Sequence, residues 1–311
     1  MNTVTTRSWL SRAGAYHPRL IEAAMALNDN DLPRAEPLLR QHLKDDPFDV
    51  FAIRMFAELA GRIGRYNDAE NLLRRALELA PAFTPARANL ALVLYRQNRP
   101  ADAIAELNRV TEEEPDNPGH ANLQAAALGR IGEFDEAIVL YERVLAQAPG
   151  QPRVWMSFGH MLKTVGRLDD GIAAYRKAIE LMPTLGEAWW SLANLKTVKF
   201  SDADIAAMKT ALEQGGVAKE DRFHLDFALG KALEDRGEAA ASFAHYAAGN
   251  ALRRTELDYD ADETTRFVDR LIGQHGDALN APSVTDSVLV VGHNAILRVL
   301  VLQLLGLGLE G

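Results

Sequence analysis

The sequence predicts an all-α fold, a solenoid of antiparallel helix pairs wound as a right-handed superhelix, with a short strand-helix appendage at its C-terminal end. Two observations carry this. Pro47, Pro81, Pro115, Pro149 and Pro183 stand 34 residues apart. In the same period, small residues align as Ala23, Ala57, Ala91, Ala125, Gly159 and Ala193, and again as Ala35, Ala69, Ala103, Ala137 and Gly171. Bulky residues align as Leu39, Leu73, Leu107, Tyr141 and Tyr175. Registered columns of this kind mark a unit that cannot bury its apolar face alone and must stack on its neighbours.

Each unit reads as two amphipathic helices. In the fifth, Trp155 to Val165 precedes Asp169 to Met182, with a turn at Gly166 and Arg167; Gly64 and Gly132 mark similar turns. The small columns let the paired backbones approach, and the bulky column fills the next gap. The periodic proline closes each second helix because it has no N–H for the ladder, whereas Pro118 and Pro152 sit where a first turn tolerates one. The sixth unit begins with Trp189 and Ala193, then departs after Lys196. A seventh, out of phase, is suggested by Leu229, Gly230, Leu233, Gly237, Tyr246 and Ala248. The expected organisation is an N-terminal extension over 1–15, a solenoid of six to seven units over 16–254, a helix and linker over 255–286, and an apolar strand-helix fragment over 287–311.

Composition narrows the chemistry. With 48% hydrophobic and 25% charged residues, the 311-residue chain is globular, not collagenous or disordered. A net charge of -9 argues against nucleic-acid binding through bulk positive charge. No cysteine is present, which removes disulfides, thiolate metal sites and a cysteine nucleophile and fits a cytoplasmic setting. The first 20 residues show no secretory pattern, and Ala295 to Gly308 is too short to span a bilayer, so no membrane role is expected. No cofactor or metal is expected either: no His pair stands at helical spacing with a carboxylate.

The 34-residue helix pair with small, large and proline positions resembles the tetratricopeptide repeat. The fifth unit carries the fullest signature in Trp155, Gly159, Gly166, Tyr175, Ala178 and Pro183. The resemblance implies a concave groove lined by the second, fifth, sixth, ninth, twelfth and thirteenth positions of each first helix. Here these are Arg54 and Arg62, Asn89 and Arg96, Asn122 and Arg130, then Arg153, His160 and Lys163, and finally Trp190 and Asn194. Such a groove implies a protein-protein interaction scaffold that binds an extended, acidic peptide or protein segment. Arg62, Arg96 and Arg130 form a ladder suited to carboxylate or phosphate. The plainer reading of that ladder is a set of cations at the negative ends of helix dipoles. Trp189 falls on a packing position, leaving Trp190 as the aromatic groove candidate.

Two further resemblances concern the C-terminal part. WWSLANLKTVKF from Trp189 to Phe200, SDADIAAM after it, and His224 to Arg254 look like the repeat region of bacterial TPR-sulfotransferases. That implies repeats serving a catalytic domain that is missing or replaced here. Val288 to Gly311 resembles the second-histidine strand and helix of histidine phosphatases, in which His293 would be the catalytic candidate. The eight histidines lack a preceding arginine, so the nucleophile motif of that family is absent. The simpler role for His293 is a helix-capping turn residue. The two likenesses together suggest a fusion, a truncated reading frame or an assembled chimera, with a junction between Ile272 and Ser287. An apolar segment over 287–311 is expected to dock on the solenoid end or to drive self-association.

Overall fold

A computed structural model describes residues 17–256 and 260–279. The chain divides into two units, Met1–Gly249 and Asn250–Gly311. Among the described residues there are only helices. In the first unit five pairs follow one another: α1 (Pro18–Asn28) with α2 (Leu32–Asp45), α3 (Val50–Arg62) with α4 (Tyr66–Leu79), α5 (Thr84–Arg96) with α6 (Pro100–Glu113), α7 (Pro118–Ile131) with α8 (Phe134–Gln147), and α9 (Pro152–Thr164) with α10 (Leu168–Leu181). A short α11 (Gly186–Ala193), α12 (Asp202–Glu213), α13 (Lys219–Glu234) and α14 (Ala239–Arg254) follow. The second unit contains the end of α14 and α15 (Ala261–Leu279). His293 and the predicted strand and helix over 287–311 lie outside the described residues, as does the extension over 1–15.

The columns read from the sequence are the core. Every small residue of both columns is buried. The bulky column, Leu39 to Tyr175, is at most 1% exposed. Gly159 shows why its column must be small: an added Cβ would lie 2.7 Å from the Tyr175 ring. The turns repeat as faithfully. Asn30, Gly64, Asn98, Gly132 and Gly166, each 34 residues from the last, all have positive φ, between 58° and 94°, the left-handed conformation that ends a helix with least strain for Gly or Asn. The periodic proline stands two residues past the last residue of each second helix, just after the C-cap. In three units its carbonyl is taken up by the fourth position of the next first helix: Arg87 donates to Pro81 O at 2.8 Å, Trp155 Nε1 to Pro149 O at 2.8 Å and Trp189 Nε1 to Pro183 O at 3.0 Å. Each first helix packs on its own partner, on the second helix before it and on the first helices beside it (α1 on α3, α3 on α5, α5 on α7, α7 on α9). The first helices therefore form one continuous side of the stack.

The sixth unit breaks this plan where the sequence departs. Helix α11 stops at Ala193, and Lys196 takes a left-handed φ of 61°. Ser201 and Asp204 then form a reciprocal capping box that starts α12. Because α12 is displaced by this longer connection, α11 packs closely on α13. The contact is tight enough that Asp221 Oδ1 accepts the Gly186 backbone N–H at 3.0 Å. Helices α13 and α14 then make the out-of-phase seventh pair. Gly230 lies against Tyr246 and Gly249 against Phe227, Ser242 donates to Gly230 O at 2.8 Å, and His245 Nδ1 meets the buried Asp226 at 2.9 Å.

Candidate functional site

The polar residues expected to line the groove lie on the first helices α3, α5, α7, α9 and α11 or at their ends, and the structure sorts them by what they already hold. Arg62 ends α3. It donates to Leu27 O at 2.6 Å, to Asn30 Oδ1 at 3.4 Å and to Glu58 at 2.6 Å. Arg130 lies in the last turn of α7 and makes the equivalent bonds one period pair later, to Tyr95 O at 3.3 Å and Asn98 Oδ1 at 3.4 Å, with its guanidinium 4.1 Å from the Tyr95 ring centre. Both arginines thus cap the carbonyl end of the preceding first helix, where a cation is favoured by the helix dipole. Arg54 is mostly buried and pairs with Glu58 at 3.5 Å. Arg96, in the same column as Arg62 and Arg130, is exposed and has no hydrogen bond or ion pair among the described residues. Asn89 and Asn122 are half-buried on the same side.

Farther along, Arg153 is 63% exposed and stands 3.6 Å from the buried Asp221 carboxylate. His160 is half-buried. Its Nδ1 meets the Tyr175 hydroxyl at 2.8 Å and its Nε2 faces Glu187 Oε1 at 3.8 Å. Burial, helped by nearby Lys163, pushes the His160 pKa down to about 4. Burial also pushes Tyr175 up to about 12 and raises Glu187, where Glu220 adds repulsion. At neutral pH the imidazole is therefore uncharged; with its proton on Nε2 toward Glu187, its Nδ1 accepts from the Tyr175 hydroxyl. Lys163 is exposed without a hydrogen bond or ion pair among the described residues, and Asn194 is exposed at the end of α11. Trp190 is half-buried and packs on Phe227 with ring centres 5.6 Å apart, while Trp189 is 1% exposed in the core. The sequence separated these two tryptophans by repeat position alone.

Sequence reasoning missed the partners more than the positions. Asn30 and Asn98 were legible as members of the left-handed column, since both stand a whole number of periods from Gly64. Glu187, on α11, stands one period after Arg153 and carried the same positional signal, whereas Asp221 and Phe227 had none, because α13 lies out of phase. Also missed was the set His42, Asp46 and Asp49, whose ligand atoms lie within 4.8 Å of one another. There Asp49 caps α3 by accepting from Phe51 and Ala52, and meets His42 Nε2 at 2.9 Å, an arrangement that joins α2 to α3.

Stacked pairs with a shared first-helix side and periodic arginines define an α-solenoid of the helical-repeat class. Residues 64–127 and 122–185 match family models of the tetratricopeptide repeat, so the helix pairs within those residues are tetratricopeptide repeats. A curated relative, cellulose synthase operon protein C of Pseudomonas fluorescens (strain SBW25), is 32% identical over 134 residues, 39% of this chain and 10% of that protein. The chain thus spans about a tenth of that relative's length. Among solved structures, YrrB, described as a TPR protein with an unusual peptide-binding site, is 19% identical with a TM-score of 0.48, covering 63% of this chain and 98% of that one. MamA from Desulfovibrio magneticus RS-1 is 16% identical with a TM-score of 0.49, covering 55% of this chain and 98% of that one. Among the described residues, no helix is long and apolar enough to cross a membrane.

Proposed function

We propose that this chain is a protein-interaction scaffold whose first-helix side holds an extended, acidic segment of a partner protein. The observation that supports it most is the unneutralised positive charge of Arg96 and Lys163, with the half-neutralised Arg153, on one side of a chain whose net charge is -9. The half-buried asparagines Asn89, on the helix of Arg96, and Asn122, on the next first helix, would supply both donors and acceptors for an extended backbone. Holding such a segment needs no reacting group. It needs donors fixed on rigid helices, which the stacked pairs provide.

Site-directed photo-crosslinking tests this reading. A crosslinker placed at Ala88 or Asn122, on the first-helix side, should capture an added acidic peptide, and one placed at Lys177, on a second helix, should not. Capture should weaken with rising salt, since exposed charges are screened over about 8 Å at physiological ionic strength. Equal capture from both sides would sink the proposal. The likeness of Trp189 to Arg254 to repeats that precede sulfotransferase domains adds a second reading, in which the held segment is presented to a catalytic domain. Its supporting observation is that the departure from the 34-residue period falls inside that segment. Sulfate transfer to the captured peptide, in a mixture containing a sulfotransferase domain, is its test.

A further inference from the structure

The three arginines of the ladder occupy one column, yet the structure gives them two fates, and the residue 32 positions upstream of each differs in step. Arg62 finds Asn30 there and Arg130 finds Asn98, and both asparagine side chains accept from the guanidinium at 3.4 Å. Arg96 finds Gly64, which has no side chain to offer. All three turn residues share the left-handed conformation, with φ of 58°, 78° and 61°, so the difference is chemical and not conformational. Arg96 is left exposed without a hydrogen bond or ion pair among the described residues. One helical turn earlier on the same face, Leu92 is 43% exposed, so an apolar side chain and an open cation stand side by side.

Their spacing suits one kind of partner. Residues four apart on a helix are separated by about 6 Å along its axis. In an extended strand, residues two apart point to the same side and are separated by about 6.6 Å. We infer that Leu92 and Arg96 form a recognition point for an extended peptide lying along α5, with an acidic side chain on Arg96 and an aliphatic side chain two residues away on Leu92. This rests on the scaffold reading and specifies its ligand. Arginine favours a carboxylate because its planar fork can take both oxygens. A nucleic acid would need several open cations in a row, and here the neighbouring rungs Arg62 and Arg130 are already bound to the protein.

The sequence contains its own reagent for the test. Replacing Gly64→Asn gives Arg96 the partner that Arg62 and Arg130 already have, at a turn whose conformation asparagine adopts twice in this chain. The probe is a fluorescein-labelled peptide, acetyl-Gly-Ser-Glu-Ala-Leu-Ser-Gly, compared by anisotropy with versions carrying Gln for Glu or Ala for Leu. Full-length protein should prefer the Glu-Ala-Leu probe. Arg96→Gln should weaken its binding about tenfold, the usual worth of one exposed charge-assisted contact. Gly64→Asn should weaken binding in the same direction, with only a small fall in melting temperature from placing a side chain at the left-handed turn. Leu92→Ser should abolish the preference for Leu over Ala. Binding that ignores both Arg96→Gln and Gly64→Asn, or equal binding of the Gln probe, overturns this recognition point and leaves the scaffold reading standing. Failure of every probe to bind also overturns it, while the crosslinking comparison decides the scaffold reading separately.

Discussion

Gly186→Ala tests the least regular joint of the solenoid. An added Cβ at Gly186 would lie 1.9 Å from Asp221 O, 2.7 Å from its carbonyl carbon and 2.9 Å from its Cα. These are backbone atoms, so no rotamer change relieves the clash. The start of α13 must move away from α11 by roughly 1.5 Å to reach ordinary van der Waals separation. That movement stretches the 3.0 Å bond from Gly186 N–H to Asp221 Oδ1 and leaves a carboxylate that is only 8% exposed without its backbone donor. Overpacking costs about 1–3 kcal/mol, and losing a hydrogen bond to a buried charge about 1.5–3 kcal/mol. A total of about 3–5 kcal/mol is expected, and because a solenoid is held by nearest-neighbour contacts, the loss should be local. The assay is hydrogen exchange across the chain together with urea unfolding. Amides of α11 and α13 should lose protection while α3 to α8 keep theirs. A variant that unfolds with the parent and retains protection in α13 would show that the α11–α13 contact has been misread.

Three further expectations follow from the same geometry. Ala91→Phe, at a position with 0% exposure, should destabilise by about 1–3 kcal/mol through overpacking; melting like the parent would remove the small column from the packing argument. Arg62→Gln should cost about 1–2 kcal/mol by releasing Leu27 O and Asn30, whereas Arg96→Gln should stay within about 0.5 kcal/mol; equal losses in thermal unfolding would contradict the split ladder. Stability should also depend on His160. Its folded pKa of about 4 lies below the unfolded value near 6.5, so the unfolded chain binds more protons between those values, and the His160 contribution is full above 6.5 and lost as pH falls toward 4. After discounting for its 30% side-chain exposure, the loss is about 2 kcal/mol. Raised Glu187 opposes it, so the difference between parent and His160→Gln in urea unfolding at each pH is the measurement; a difference that does not change with pH would refute the assignment.

Most of the fold was legible because packing and sequence share one period. The same 34-residue spacing that aligned Ala57 with Ala91 aligned their burial, and Leu73 with Leu107 likewise. The proline column was legible for a local reason, the missing N–H. What was hidden begins at Lys196. There the period fails, and with it the only means of telling which helix lies beside which. That α11 rests on α13 depends on a glycine at 186 meeting a backbone 35 residues away, a contact for which neither residue carries a sequence signal. The histidine-phosphatase resemblance of Val288 to Gly311, including His293, concerns residues outside the described ones.

For the binding side, position was legible and availability was not. The repeat pattern placed Arg62, Arg96 and Arg130 in one column, and from the column alone they were equivalent. A cation is available to a ligand only if the protein has not already used it, and that is decided by groups distant in sequence. Here the deciding group lies at a fixed offset, because repetition converts a tertiary contact into a constant sequence separation: a carbonyl 35 residues back and a turn residue 32 back. In this chain the two arginines with Asn 32 residues before them, Arg62 and Arg130, are held at the helix end, while Arg96, with Gly64 there, is exposed. The Gly64→Asn variant tests whether the missing side chain is what separates them.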